Sequence, residues 1–149
     1  MDETIQNTLH RENLTLASIS KRTTAFVIDE LLLSLLVIIA LWDKFENATD
    51  MQELIYVTNS FVLQYMFLKI VYQAFFTMQY GASIGKLMMK IKVIEIRTLS
   101  NPNVLSSLNR AIFRVVSEMF FYLGFLWGMM QASRQTWHDK TAKTLVINA

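Results

Sequence analysis

Two acidic side chains lie inside an apolar run that is long enough to cross a lipid bilayer. Residues 24–42 read TAFVIDELLLSLLVIIALW, and Asp29 and Glu30 interrupt an otherwise almost wholly apolar stretch. A carboxylate inside a membrane helix costs at least about 2.5–3.5 kcal/mol on insertion scales, so it normally has a partner or a function. Arg22 precedes Asp29 by two helical turns and shares its helical face. The pair is either an ion- or proton-handling carboxylate with a cationic partner, or a structural charge pair. The structural interpretation is favoured.

The second long apolar stretch, residues 54–80, supplies candidate partners for these acids. Four of its polar side chains recur at helical spacing and therefore share one face, namely Tyr65, Lys69, Tyr72 and Gln73. Counted inward from the helix ends, Lys69 lies within one turn of the depth of Asp29, and its long stem covers that offset. We expect Lys69 to pair with Asp29 or Glu30, and a purely structural pair is the favoured interpretation.

A third apolar region, residues 105–131, begins with a charged stripe at i, i+4 and i+8, formed by Arg110, Arg114 and Glu118. The favoured interpretation is a helix in the membrane plane, with both arginines at anionic headgroups and with Ile112, Phe113 and Val116 buried. The alternative places Glu118 inside the bundle, facing Arg22 or Lys69. The uninterrupted apolar part is only a dozen residues long, which is typical of a re-entrant or surface-lying segment.

The composition argues against several classes of function. The 149 residues contain no cysteine, and the only histidines, His10 and His138, have no metal-ligand or catalytic spacing around them. The loop that ends in Gly85 and Lys86 resembles a phosphate loop but is one residue short and lacks the required Ser or Thr. We therefore expect no enzyme, no metal, no cofactor, and neither nucleotide nor nucleic acid as a partner.

The charge pattern predicts the order of the segments across the membrane. Basic residues precede the first apolar run and fill the second loop, whereas the first loop is acidic, so the positive-inside rule places both termini in the cytoplasm. The predicted organisation is a polar cytoplasmic arm over residues 1–16 and a membrane domain over residues 17–149. That domain comprises a helix over 21–42, an outer loop over 43–53, a helix over 54–80, an inner loop over 81–104, the third region over 105–131 and a cytoplasmic tail over 132–149. Alternating charged and apolar residues predict a strand at 90–97, and the β-prone residues of TLVINA predict a second at 144–149. The two strands could pair.

Four segments in this order resemble the RDD family of small bacterial integral membrane proteins: LASISKRTTAFVIDELLL, GASIGKLMMKIKV, LNRAIFR and SRQTWHDKTAKTLVI. The family is named for one arginine and two aspartates. Arg22 and Asp29 match the first two of these, and Asp139 is mapped onto the third. The resemblance covers residues 17–147. It implies two membrane helices with a third apolar region, and a bacterial inner membrane.

Other positions also match the family pattern, with two departures. Gly81, Gly85 and Lys86 fit its Gly-x-Thr-x-Gly-Lys loop, although Ser83 stands in place of Thr. Arg110 fits the arginine that opens the third region of the family. Lys143 stands where the family commonly has glycine, which puts a tight turn there in question. For function, the resemblance implies little chemistry beyond a suggested involvement in cation–proton exchange.

The sequence thus predicts an all-α membrane protein with two transmembrane helices, a third amphipathic or re-entrant helical region and a small cytoplasmic β pairing. The predicted function is a structural or accessory role in the bacterial inner membrane. The alternative is an oligomeric cation or proton transport component that uses Asp29 with Arg22, Glu30 and Lys69. A homo-oligomer or a membrane complex is the expected partner besides the bilayer. The candidate charge network comprises Arg22, Asp29, Glu30, Lys69, Gln73, Arg110, Arg114, Glu118 and Asp139.

Overall fold

The computed structural model describes residues 2–120, 123–130 and 133–149, and this part of the chain is mostly helical with one two-stranded sheet. Its elements in chain order are α1 (Asp2–Arg11), α2 (Ile19–Ala40), α3 (Trp42–Glu46), α4 (Met51–Ser60), α5 (Val62–Tyr80), α6 (Ile84–Met88), β1 (Ile91–Glu95), α7 (Val104–Met119), α8 (Leu123–Met130), α9 (Trp137–Thr141) and β2 (Thr144–Asn148). The boundary predicted between the third apolar region and the tail, at residues 131–132, lies outside the described residues.

Helix α2 has the length and the surface of a membrane-spanning helix. It begins after Ser18, whose side chain accepts a hydrogen bond from the Lys21 amide at 3.3 Å. Its 22 residues rise about 33 Å, the thickness of a bilayer core. Large apolar side chains such as Leu31 (66% exposed) and Ile39 (65%) point outward, whereas the acid Asp29 is fully buried. This reverses the pattern of a water-soluble helix. Within the described residues, α2 is the one helix that qualifies as a span by itself.

The predicted helix over residues 54–80 is two helices in the structure. α4 and α5 meet at Phe61 with a bend of 46°. The hydroxyl groups of Thr58 and Ser60 donate to backbone carbonyls four residues earlier, at 2.8 and 2.7 Å. Such back-bonding draws carbonyls away from the helix ladder and bends it. A pattern of apolar residues does not contain this information, so the break was missed.

Helix α7 packs along α5 and places its polar face inward, so the predicted in-plane orientation of the arginine stripe is wrong. Arg110 (4% exposed) and Arg114 (6%) are buried, whereas Ile112 (42%) and Phe113 (40%) are exposed. An arginine turned outward at this position would leave the acids of the neighbouring helices without cations. The alternative, with Glu118 inside the bundle, is what the structure has: Glu118 pairs with Lys69.

The predicted β pairing is confirmed. β1 and β2 are antiparallel, with Val93 opposite Val146. The sheet covers the end of the molecule where α2 begins and α5 ends, because Arg22 of α2 donates to the carbonyl of Val146 at 3.0 Å. Helix α1, which lies within the segment predicted as a polar arm (residues 1–16), also packs there. Ile5 and Leu9 of α1 join a buried cluster with residues of both strands, so this segment completes the cover over the sheet.

Candidate functional site

Asp29 is the centre of the buried polar interior. It is 0% exposed and accepts four hydrogen bonds. Its Oδ1 accepts from the Tyr72 hydroxyl at 2.8 Å and from the Gly85 amide at 2.9 Å, and its Oδ2 accepts from Ser83 Oγ at 2.6 Å and from Gln73 Nε2 at 3.2 Å. Arg114 Nη1 adds a longer contact of 3.8 Å to Oδ2. Asp29 is therefore held by hydrogen-bond donors from α5 and α6. Arg22 is not its partner, contrary to the sequence-based expectation, and Lys69 pairs with Glu30, the other of the two acids expected for it.

The short helix α6 reaches Asp29 because glycine allows it to approach α2. A Cβ atom on Gly85 would lie 2.2 Å from the carbonyl oxygen of Ala25 and 2.9 Å from Asp29 Oδ1. The Ala25 carbonyl belongs to the backbone of α2 and cannot move aside without distorting that helix, so only glycine fits at position 85. Gly81 acts differently, because its φ of +70° ends α5 in the left-handed conformation that turns the chain toward α6. The two glycines of the predicted loop therefore allow the start of α6 to reach the buried carboxylate of Asp29.

A second cluster joins the tail to two helices. This sheet-end cluster comprises Arg22, Arg110 and Asp139. Asp139, 1% exposed, accepts from Arg22 Nη1 at 3.3 Å through Oδ2 and from Arg110 through Oδ1. Arg110 also donates to the hydroxyl of Thr144. Arg22 thus pairs with an acid 117 positions away in the chain.

The carboxylate of Asp139 is oriented by its own helix. It accepts from the Thr136 amide at 3.1 Å, which is one half of the N-terminal capping box of α9, and also from the Thr136 hydroxyl at 2.9 Å. Burial acts to raise the pKa of Asp139, but the arginines, chiefly Arg110, outweigh burial and hold that pKa well below its usual range. Asp139 is therefore ionised at every physiological pH.

A third cluster lies one turn beyond Asp29 from the sheet, and we call it the far cluster: Glu30, Lys69 and Glu118. The ammonium group of Lys69 lies 2.9 Å from Glu30 Oε1 and also bonds Glu118. Arg114 links this cluster to Asp29, with contacts of 3.7 Å to Glu30 and 3.4 Å to Glu118. Its guanidinium carbon also lies 4.9 Å from the ring centre of Phe26. We call the groups around Asp29, the sheet-end cluster and the far cluster together the polar ladder. Arg114 joins Asp29 to the far cluster.

Two small adjoining cavities lie between Asp29 and the sheet-end cluster, with volumes of about 30 and 10 Å³. Lys86 and His138 border both. Burial, together with Arg110 and Arg114, lowers the pKa of Lys86 to about 7. Burial also lowers the pKa of His138 well below its usual value, against the opposing effect of Asp139, so this imidazole is neutral at pH 7. Among the described residues, no group of three or more His, Cys, Asp or Glu side chains could hold a metal ion.

The sequence identified the acids and bases of the ladder but missed several uncharged partners. Tyr72 was placed on the correct face, but its bond to Asp29 was not foreseen. Ser83 was noted only as a departure from the family loop. The capping box at Thr136 carries a readable signal, since Thr and an acid stand three residues apart before a short helix.

Comparisons with known proteins support a single assignment. A family model described as the RDD family matches residues 16–143, which is most of the chain. No curated protein matches the chain, and no solved structure matches it either. Membership and the apolar helix α2 together indicate a membrane protein. The chain belongs to the RDD family.

Proposed function

We propose that this protein is a non-enzymatic structural or accessory component of the bacterial inner membrane, with two membrane crossings and both termini in the cytoplasm. The first crossing is α2, and the second is the bent pair α4 and α5. The sheet, α1 and α9 then form a cytoplasmic cover. The role of the polar ladder is to hold the two crossings, α7 and the tail together as one rigid unit.

This proposal rests on the observation that the hydrogen-bonding capacity of the Asp29 carboxylate is fully used within the protein. An ionised carboxylate offers about four lone-pair sites, and Tyr72, Gln73, Ser83 and Gly85 occupy four with donors from two other elements. A carboxylate in this state has no site left for a transported cation. Its bonds instead join α2 to α5 and α6, which is what a structural group does.

The positions of the ion pairs support a re-entrant α7–α8 hairpin. Arg110 of α7 lies beside Arg22 through their shared partner Asp139, and Glu118 lies beside Glu30 through Lys69. The helix therefore rises about 12 Å from the level of Arg22 to that of Glu30. The chain then returns, since Asp139 is again at the level of Arg22. With this hairpin the tail stays on the side where α2 begins, which agrees with its basic residues.

Site-specific labelling tests the topology, because the chain has no cysteine of its own. Gln52→Cys places a thiol in the first turn of α4, at the outer end of the second crossing, and Arg97→Cys places one after β1, both at exposed positions. In intact spheroplasts a membrane-impermeant maleimide should label only Gln52→Cys, and Arg97→Cys should react only after permeabilisation. Equal labelling of both in intact spheroplasts would disprove the two-crossing arrangement.

A second candidate, a cation or proton transport component, is favoured by one observation. The far cluster sets two carboxylates, Glu30 and Glu118, around the ammonium of Lys69, and the one further cation they contact, Arg114, is shared with Asp29. Paired carboxylates in a membrane can serve a cation. Transport would require a pathway formed by an oligomer. The test measures proton flux with the full chain in sealed proteoliposomes. Proton flux driven by sodium, potassium or lithium gradients, lost in Glu118→Gln but retained in the exposed control Glu46→Gln, would support this candidate. Absence of flux in the unaltered protein would reject it.

A further inference from the structure

The two small cavities form one chamber whose charges do not balance. We use the name chamber for the space lined by four cations, Arg22, Lys86, Arg110 and Arg114, and two carboxylates, Asp29 and Asp139. The imidazole of His138, which also lines it, is neutral. Arg114 also contacts Glu30 and Glu118, which share Lys69. The connected groups therefore comprise five cations and four carboxylates, an excess of one positive charge when Lys86 is protonated. Unbalanced charge in a site removed from bulk water is costly, so this excess calls for a compensating anion.

The carboxylates of the chamber are already fully engaged. Asp29 accepts four hydrogen bonds, and Asp139 is held by two arginines and by both polar groups of Thr136. Their charges are thus compensated by specific partners. The electrostatic field that remains in the chamber is therefore positive, and the two carboxylates do not repel an anion from it.

Some donors, in contrast, have no close acceptor. Arg22 Nε is buried and has no hydrogen-bond partner, and buried Arg114 Nη2 has only a long contact of 3.7 Å to Glu30. Across residues 2–120, 123–130 and 133–149, Lys86 has no carboxylate within 4.0 Å of its ammonium group. Buried donors of this kind are rarely left unpaired in proteins. Their presence around one cavity points to an acceptor that the polypeptide does not supply.

The size of the chamber limits what that acceptor can be. Its larger part has a volume of about 30 Å³, and a cavity needs about 10–15 Å³ to hold one water molecule. A monatomic ion slightly larger than water fits this space. Sulfate and the phosphate dianion carry a second negative charge that one excess positive charge does not balance, and a long organic anion such as gluconate exceeds the space. We propose that the chamber between Asp29 and the sheet-end cluster binds one chloride-sized monovalent anion.

Binding should depend on the protonation of Lys86, whose pKa of about 7 makes it the titrating cation of the chamber. The charged and titratable groups that face it are Arg22 and Asp29 from α2, Arg110 and Arg114 from α7, and His138 and Asp139 from α9, while α5 contributes the uncharged Gln73 and Thr77. Below pH 7 the ammonium adds to the positive field, and above pH 7 it is lost. The anion should therefore bind more tightly at pH 6 than at pH 8.5, and its binding should take up a proton.

The test uses the full chain in lipid nanodiscs. Equilibrium binding of radioactive chloride is measured at pH 6 and 8.5, with gluconate holding the ionic strength constant. Thermal unfolding is followed in parallel in chloride and in gluconate. Lys86→Met removes the titrating cation. Lys44→Met is the matched control, because Lys44 is exposed and lies between the two proposed crossings, away from the chamber.

We expect one chloride per chain at pH 6, displaced by bromide but not by gluconate, and at least fivefold weaker binding at pH 8.5. At tenfold excess over its dissociation constant, chloride should raise Tm by about 3–6 °C. Lys86→Met should lose this shift and Lys44→Met should keep it. If the unaltered protein binds no chloride, or binds it equally at both pH values, the proposal is wrong. This test remains valid even if Lys86→Met fails to fold, because chloride binding is measured on the unaltered protein. Retention of the full Tm shift by a folded Lys86→Met protein would also overturn it.

Discussion

Replacement of Asp29 by asparagine tests the hydrogen-bond geometry that holds α6 against α2. Asparagine keeps the shape of the side chain but substitutes an NH₂ group for one acceptor oxygen. The amide of Gly85 can only donate, so the remaining oxygen must stay on the side of Gly85 and Tyr72. The new NH₂ group then faces Ser83 and Gln73, which can rotate or flip to accept. The side chain can therefore be accommodated, but every bond loses its charge.

The expected loss follows from the number of bonds. A hydrogen bond to a charged group contributes about 1.5–3 kcal/mol and a neutral one about 0.5–1.5 kcal/mol, so each exchange loses about 1 kcal/mol. Four such bonds reach Asp29, and Arg114 loses a carboxylate at 3.8 Å. Relief of the desolvation of the charge offsets part of this. We expect Asp29→Asn to lower the free energy of unfolding by about 2–4 kcal/mol.

The measurement is reversible unfolding of the purified protein in mixed micelles, followed by the fluorescence of its three tryptophans. Asp43→Asn is the matched control, since Asp43 is exposed at the start of α3 and should change the free energy by less than about 1 kcal/mol. If Asp29→Asn unfolds within about 0.5 kcal/mol of the unaltered protein, Asp29 is not the structural centre described above.

Three further substitutions test other parts of the structure by the same unfolding measurement. Gly85→Ala should destabilise by at least about 1–3 kcal/mol, because its Cβ atom would meet the Ala25 carbonyl oxygen at 2.2 Å; an unchanged free energy would refute the close approach of α6. Lys143 has φ of +53°, so Lys143→Gly should stabilise by about 0.5–1 kcal/mol, whereas Lys140→Gly inside α9 should destabilise by about 1 kcal/mol. Burial lowers the pKa of Lys86 to about 7 from 10.5, so between these values the unfolded chain binds more protons than the folded one. In chloride-free buffer, stability should therefore rise with pH from about 7 to 9, by less than about 1.4 kcal/mol per pH unit, and this slope should vanish in Lys86→Met.

Helical spacing identified which side chains of α2 face the interior, but it could not identify their partners. Arg22 and Asp29 do share a face, yet each bonds to residues from other parts of the chain. Arg22 meets Asp139, which is 117 positions later. Spacing within one helix contains no information on which distant segment packs against it, so the partner depended on the tertiary arrangement.

The β pairing was predictable because two independent signals agreed. Residues 90–97 alternate with a period of two and residues 144–149 are β-prone, and the positive-inside rule places both segments on the same side of the membrane. The inward turn of α7 was not predictable in this way. Its stripe of Arg110 and Arg114 fits a headgroup-facing helix equally well when the helix is considered alone. The orientation of α7 depends on the acids of α2, because these acids are buried and need cations. Only the packed structure brings the two helices together.

The two acids of the family pattern share one physical principle, although they lie in different clusters. Each is buried on a long helix or beside one, and each takes part of its hydrogen bonds from a segment outside the long helices: Asp29 from the start of α6, and Asp139 from the capping turn of α9. The long helices alone would therefore leave Asp29 without two of its donors, and would leave Arg22 and Arg110 without a carboxylate. The polar segments that follow α5 and α8 are thus part of the core. This explains why the matched family region extends through the tail and is not confined to the apolar helices.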